Sequence, residues 1–270
     1  MRMHGDIFKD TRNGGYAMDA PGAGQDQKNI WKVIKVVPEN HDTNSLYLEG
    51  PDHGFAGRKA GQYASIRIMR PDGWSEPHPF TISGAPEDPF VRLTIKKEGK
   101  FTSAIPDLKP GAPVKCMGPL GAFCKDIDAK PSIVMIAGGV GITPFLSVLR
   151  HFRNIKAGNR VMLFWSNKTM EDVFSADEIS EMTGQLNLTI VHCLSREDDV
   201  QRHARQEFPG VIFEKGRLSQ DILRKHGVTG GAAVYLCGPP PMMESALNDM
   251  QGIGVSPDSV EREKFSWDKK

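Results

Sequence analysis

Residues 131 to 150 read Pro-Ser-Ile-Val-Met-Ile-Ala-Gly-Gly-Val-Gly-Ile-Thr-Pro-Phe-Leu-Ser-Val-Leu-Arg. Ser132 to Ala137 is a nearly continuous apolar run, the pattern of a strand buried on both faces of a parallel sheet, and Pro131 closes off whatever precedes it. Gly138, Gly139 and Gly141 follow at once; glycine reaches backbone angles closed to other residues and leaves no Cβ in the path of a ligand. Thr143 suits a helix N-cap and Pro144 a first helical residue, and Phe145, Leu146, Val148 and Leu149 continue at helical spacing. A strand, a glycine turn and a helix start together form an anion site for a pyrophosphate. Gly-Gly-x-Gly-x-Thr-Pro is not Gly-x-Gly-x-x-Gly, and glycine clusters after strands are common, so the turn alone reads equally as a structural βα connection.

Downstream of Pro131, strands at Ser132 to Ala137, Arg160 to Ser166, Asn187 to Cys193, Val211 to Phe213 and Ala232 to Cys237 alternate with helices at 144–154, 172–182, 219–226 and 240–251. That alternation predicts a doubly wound parallel α/β sheet over 131–270. Upstream the texture differs. Trp31 to Val37, Ser45 to Leu48, Gln62 to Met69, Phe80 to Ser83, Val91 to Lys96 and Ala112 to Met117 are six short strands punctuated by Gly and Pro, and only Phe101 to Leu108 has a helical turn. They predict an antiparallel six-stranded β-barrel over 29–126. Residues 1–28 are polar and glycine-rich, without periodicity, and read as a flexible tail.

Composition narrows the function. Lys plus Arg number 34 against 33 Asp plus Glu, so the chain lacks the charge excess of a nucleic-acid binder. No run approaches the roughly 18 apolar residues of a membrane span, and the first residues lack a signal-peptide core, so a cytoplasmic protein is expected. Cys116, Cys124, Cys193 and Cys237 are scattered, with no Cys-x-x-Cys pair, so neither a zinc site nor an iron-sulfur cluster is expected.

Three motifs carry the chemistry. His78-Pro79-Phe80-Thr81-Ile82-Ser83 sets an imidazole, a ring and a hydroxyl along one strand. With Gly138 to Pro144, and with Cys237-Gly238-Pro239-Pro240-Pro241-Met242, it occurs in the order and spacing of one family. Over residues 29 to 267 the chain resembles the ferredoxin-NADP reductase superfamily, and its His-Pro-Phe-Thr form of the flavin motif is most similar to the ferric reductase and NADPH oxidase branch.

That resemblance implies FAD and a nicotinamide dinucleotide. Phe80 is expected to stack on the isoalloxazine, Thr81 to bond near flavin N5, and His78, beside Pro79, to replace the usual Arg against ribityl or phosphate. Tyr63 ends a Gly-Gln-Tyr strand start, and Gly99, Thr102 and Ser103 mark the turn expected to hold the FAD pyrophosphate. Gly138, Gly139, Gly141, Thr143 and Pro144 would take the dinucleotide. Cys237 would lie beside nicotinamide C4, with Gly238, Pro239 and Met242 forming the turn that follows. Glu263-Lys264-Phe265 resembles a terminal acid-base-aromatic motif whose ring covers the other flavin face, with Trp267 as a second aromatic. Ser195-Arg196-Glu197 resembles a grip on a 2′-phosphate, with Arg202 or Arg205 as further charge, which favours NADPH; Ser166-Asn167-Lys168-Thr169 resembles an NADH-enzyme loop, which keeps NADH open.

The expected activity is FAD-dependent transfer from NAD(P)H to a separate acceptor: a ferredoxin, a flavodoxin, a haem protein or a ferric chelate. The alternatives are an electron-transfer flavin subunit of a larger redox complex and a non-catalytic dinucleotide-binding sensor.

Overall fold

A computed structural model describes residues 29–51 and 55–263 of the chain. The first half is β-rich: β1 (Ile30–Pro38), β2 (Thr43–Glu49), β3 (Tyr63–Arg70), β4 (Gly73–Trp74), β5 (His78–Thr81), β6 (Val91–Lys96) and β7 (Pro113–Leu120), with one short helix, α1 (Lys100–Ser103). Every pairing is antiparallel, in the order β6-β2-β1-β7-β3-β5 with β4 appended to β3. An isolated bridge between Ile82 and Leu93, and the Ser83 N–H donating to the Arg92 carbonyl at 2.8 Å, join β5 to β6. The bridge brings the two ends of the sheet together into a six-stranded barrel, from which β4 stands out as a short appendage on β3. Alternation decides its inside: Trp31, Val33, Ala64, Ile66, Ile68 and Val114 are buried, while their sequence neighbours face outward. The flavin-motif strand runs His78–Thr81, two residues earlier than its periodicity predicts, because Ile82 and Ser83 already bridge to β6.

The second half alternates β8 (Ser132–Gly138), α2 (Thr143–Ile155), β9 (Arg160–Asn167), α3 (Ala176–Met182), β10 (Leu188–Leu194), β11 (Val211–Lys215), α4 (Gln220–Lys225), β12 (Ala233–Cys237), α5 (Pro240–Gly252) and β13 (Val260–Glu263). Its strands pair in parallel in the order β11-β10-β9-β8-β12-β13. Two apolar clusters cover the two faces, one centred on Phe145, Phe152 and Trp165 and the other on Phe164, Leu236 and Met250. Phe123, Cys124 and Ile127, which precede the sheet in sequence, pack in the first of these. The strand order reverses between β8 and β12, so the crevice of a doubly wound sheet opens at the carboxyl ends of those two strands.

Several local expectations are corrected. Thr143 is the first residue of α2 and not its N-cap: a 3-10 turn, Gly139–Ile142, runs straight into the helix, and the Thr143 hydroxyl donates to the Val140 carbonyl at 3.0 Å. Residues 170–172 form a 3-10 turn closed by a Thr169–Asp172 capping box, so α3 begins only at Ala176. β13 and the two-residue β4 carried no pattern long enough to read. The expectations for residues 1–28, Phe265 and Trp267 lie outside the described residues.

Candidate functional site

Two adjoining cavities open where the barrel meets the switch point. The first, about 270 Å³, is walled on the barrel side by Pro79, Phe80 and Thr81 of β5, by Thr94, Ile95 and Lys96 of β6, and by Glu98 and Thr102. Gly138, Val140, Gly141 and Thr143 wall it on the sheet side, with Gly238, Pro239 and Pro240 of the turn after β12. The second, about 520 Å³, shares Lys96, Gly138, Val140 and Pro239 with the first and runs along the carboxyl ends of β9, β10 and β11.

On the barrel wall, the Thr81 side chain is 3% exposed and its Oγ1 has no hydrogen-bond partner. Buried hydroxyls are almost always bonded, so an unbonded one on a residue of the cavity wall is a candidate partner for a ligand atom. Thr94, beside it, is already satisfied by Ser45 and Ser83 at 2.8 Å each. Phe80 stacks with Phe101 at 5.8 Å, and Phe101 stacks with His78 at 3.9 Å. Burial and the nearby Arg70 guanidinium hold the His78 imidazole below its ordinary pKa. Thr102 lines the cavity, but its hydroxyl accepts from the Glu98 N–H at 2.6 Å and donates to the Gly99 carbonyl, closing its own turn. Gly99 has φ 94° with open space where a side chain would stand. Ser103 is exposed, and Tyr63 packs beneath Gly121; neither of them lines a cavity.

The glycines of the turn divide by cause. Gly139 alone has a positive φ, 51°, and its carbonyl accepts from the Trp165 indole at 2.9 Å. Gly138 and Gly141 have ordinary angles. A Cβ on Gly141 would strike the Cys237 carbonyl, and one on Gly138 would strike Met242 and Pro239. Their glycine is required by the close meeting of two strand ends. Gly238 fails for the same reason, against Met242 and Gly138.

In the second cavity, Ser166, Asn167 and Lys168 follow β9, Cys193, Ser195 and Arg196 come from β10 and the turn after it, and Arg217 follows β11. The loops are stitched together: Ser195 N–H donates to the Asn167 carbonyl at 3.1 Å, Arg196 N–H to the Lys168 carbonyl at 2.7 Å, and Met170 N–H to Glu197 Oε1 at 3.0 Å. Glu197 therefore faces its own loop and not the cavity. Lys168, Arg196 and Arg217 have no salt-bridge partner among the described residues, and the buried Asn167 Nδ2 has no hydrogen-bond partner. Three cations without an ion pair, with Asp172 the one carboxylate among the lining residues, are the kind of donor set that binds an anion. Arg202 and Arg205 do not join them: Arg202 pairs with Glu197 at 2.8 Å, and Arg205 with Asp177 and Glu207 at 2.9 Å each. Arg217 went unnoticed in the sequence, although a basic residue just past a strand of a parallel sheet is the readable signal.

Met242 lines the second cavity; Pro144 is buried in α2 and lines neither. Cys237 is fully buried, lines neither cavity, and burial pushes its thiol pKa up. It also does not end the last strand, since β13 follows and sets Glu263 beside it. Burial and the neighbouring Glu261 push the Glu263 carboxyl up to about 7, and its Oε2 has no hydrogen-bond partner. Among the described residues no cluster of three His, Cys, Asp or Glu is placed to hold a metal, and no helix is long and apolar enough to cross a membrane.

An FAD-binding domain model matches residues 29–110, and an oxidoreductase NAD-binding domain model matches residues 135–248. The propane 2-monooxygenase reductase component of Mycolicibacterium goodii is 32% identical over 242 residues, covering 87% of this chain and 67% of that protein. The chain belongs to the ferredoxin-NADP reductase superfamily. NADH-cytochrome b5 reductase 2 of Candida glabrata is 27% identical, covering 79% of this chain and 72% of that protein. A ferredoxin NADP+ reductase from Neisseria gonorrhoeae, solved with FAD and NADP bound, superposes with a TM-score of 0.68 at 16% identity, covering 87% of this chain and 97% of that one. The chain spans 63% to 67% of the lengths of the propane 2-monooxygenase reductase components it matches. The superfamily's two cofactors are FAD and a nicotinamide dinucleotide, and the orphan Thr81 hydroxyl, the Phe80 wall and the open Gly99 turn fit the first.

Proposed function

We propose that this chain takes a hydride from NADPH into FAD and delivers the electrons to a separate acceptor. Residues 29–126 would hold the flavin and 131–270 the dinucleotide. The observation that carries this reading is the shared wall: Gly138, Val140, Pro239 and Lys96 belong to both cavities, so a ring in one abuts a ring in the other. FAD, when bound, supplies the step from a two-electron donor to one-electron acceptors. The protein's part is alignment and exclusion of water. Phe80 is proposed to lie against the isoalloxazine, Thr81 to give its idle hydroxyl to the ring edge, and Gly99, Thr102 and Ser103 to approach the pyrophosphate. His78 would give a hydrogen bond to the ribityl or phosphate part. Gly139, Thr143 and the Gly238–Pro239 turn would shape the nicotinamide end. Cys237 would act there through its backbone, because its thiol lines neither cavity. The Glu263 carboxyl, pushed up to about 7 and set beside Cys237 on the paired strand, is suited to hold a proton there.

The preference for NADPH rests on Arg196, Lys168 and Arg217, with Ser195 between them. NADH, which lacks the 2′-phosphate, would offer these cations no anion beyond its pyrophosphate. For the acceptor, relatives named as reductase components favour a partner protein of an oxygenase or haem type. A cytoplasmic site of action suits the four free cysteines.

The test is to purify the chain, reconstitute it with FAD, and add NADPH or NADH without oxygen while following visible absorbance. Bleaching, faster with NADPH, is expected. A protein that binds dinucleotide but takes up no FAD is a sensor and no flavoenzyme; one that binds FAD but is bleached by neither nucleotide takes no hydride from them.

A further inference from the structure

The helix α2 does more than present the glycine turn. Ser147, Arg150, His151 and Asn154 are spaced i, i+3, i+4 and i+7, and so share one helix face. All four meet the segment that leaves β5. Ser147 Oγ donates to the Gly84 carbonyl at 2.7 Å, Arg150 Nη1 donates to the Ser83 carbonyl, and Asn154 Nδ2 donates to Glu87 Oε2 at 3.1 Å. His151 Nδ1 shares a hydrogen with Glu87 Oε1. Ser147 and Arg150 are 1% and 3% exposed. The remaining Arg150 donors go to Glu178 of α3, Nε at 2.8 Å and Nη2 at 2.6 Å.

A buried arginine is an expensive way to hold two elements together, since apolar side chains of the same volume often serve stability as well. What directional bonds to two successive carbonyls add is a fixed register, which apolar packing leaves free to slide. Both ends of this clasp lie close to the cavities. Ser147 is about one helical turn, roughly 5.4 Å, from Thr143, which lines the first cavity. Ser83 is two residues beyond Thr81.

We infer that Ser147 and Arg150 are positioning residues that set the distance between the flavin and the dinucleotide. The inference rests on the proposed hydride transfer, which needs reacting atoms about 3–3.5 Å apart and which a 1 Å error slows by about 100-fold. Neither side chain lines a cavity, so neither touches a cofactor.

The test compares wild type, Ser147→Ala, Arg150→Met and Arg150→Lys as full-length, FAD-loaded chains. The readouts are FAD content, the dinucleotide dissociation constant, the single-turnover rate of flavin reduction, and the long-wavelength charge-transfer absorbance of the static dinucleotide complex. The expected result is a reduction rate lowered about 10-fold or more in Arg150→Met and several-fold in Ser147→Ala, with weakened charge-transfer absorbance. FAD content and dinucleotide affinity should stay within about twofold, and Arg150→Lys should recover part of the rate through its remaining donor. If Arg150→Met does not fold, Ser147→Ala decides alone. A lower melting temperature with rate and absorbance unchanged would mean that the clasp is only structural, and overturns the inference. A wild-type chain that no nucleotide bleaches overturns the underlying reading and this inference with it.

Discussion

Thr81, on strand β5 of the barrel, and Gly138, at the end of the first strand of the parallel sheet, line one cavity. Everything proposed for the chain depends on that meeting, because either wall alone is half a site.

The hydroxyl of Thr81 gives a prediction in which stability and function move in opposite directions. A buried hydroxyl without a partner costs about 1–3 kcal/mol, so Thr81→Val, which keeps the shape, should raise the melting temperature of the flavin-free chain by about 2–4 °C for each kcal/mol recovered. With FAD loaded, the same change should slow reduction about 10-fold, because the ring edge loses its donor. Calorimetry on the flavin-free chain and stopped-flow absorbance on the loaded one read the two effects.

Arg196→Ala and Arg217→Ala should each raise KM for NADPH about 10-fold or more, the scale of a lost charge-assisted hydrogen bond. KM for NADH should change by less than about twofold, since NADH carries no 2′-phosphate. Raising ionic strength should narrow the gap between the two donors in the wild type. Equal losses for both nucleotides would remove these residues from phosphate recognition.

Glu263 ties stability to pH. Its folded carboxyl sits at about 7, above its ordinary value of 4.5, so the folded state holds a proton that the unfolded state has released. Stability from this group is fully present below about 4.5 and is lost as pH rises through 7. Glu263→Gln, which cannot ionise, should flatten that decline, and the variant should gain on the wild type in urea unfolding at pH 8 but not at pH 4.5.

Gly141→Ala tests why the glycine turn is glycine. The new methyl would enter the Cys237 carbonyl, so the turn or strand β12 must shift, at a cost of about 1–3 kcal/mol. Because that shift moves the wall shared by both cavities, dinucleotide affinity should fall together with the urea midpoint. An undisturbed midpoint would mean the turn has slack.

The change from period-two strands to alternating strands and helices at Pro131 was enough to predict both sheets, because buried parallel strands and glycine-punctuated barrel strands leave different patterns. Phe80, Thr81, Gly138 and Arg196 were legible because each sits in a motif. What escaped was anything fixed by pairing at a distance: β13, whose four residues acquire strand geometry only by lying against β12; Arg217, which joins Lys168 and Arg196 on one cavity wall because β11 lies beside β10; and the capture of Arg202 by Glu197. Thr143 looked like a cap because Thr-Pro commonly opens a helix, whereas here a 3-10 turn precedes it and supplies the continuity.

All four cysteines are buried, and burial pushes Cys116 and Cys193 up to about 12, with Cys124 and Cys237 raised as well. Thiolate is the form that reacts with peroxide and with alkylating reagents. An electron-transfer flavoprotein that leaks electrons to oxygen generates such oxidants at its own surface, and this chain keeps its four thiols out of their reach. The native protein should thus keep its thiols unlabelled by iodoacetamide, while the unfolded chain is modified at every thiol.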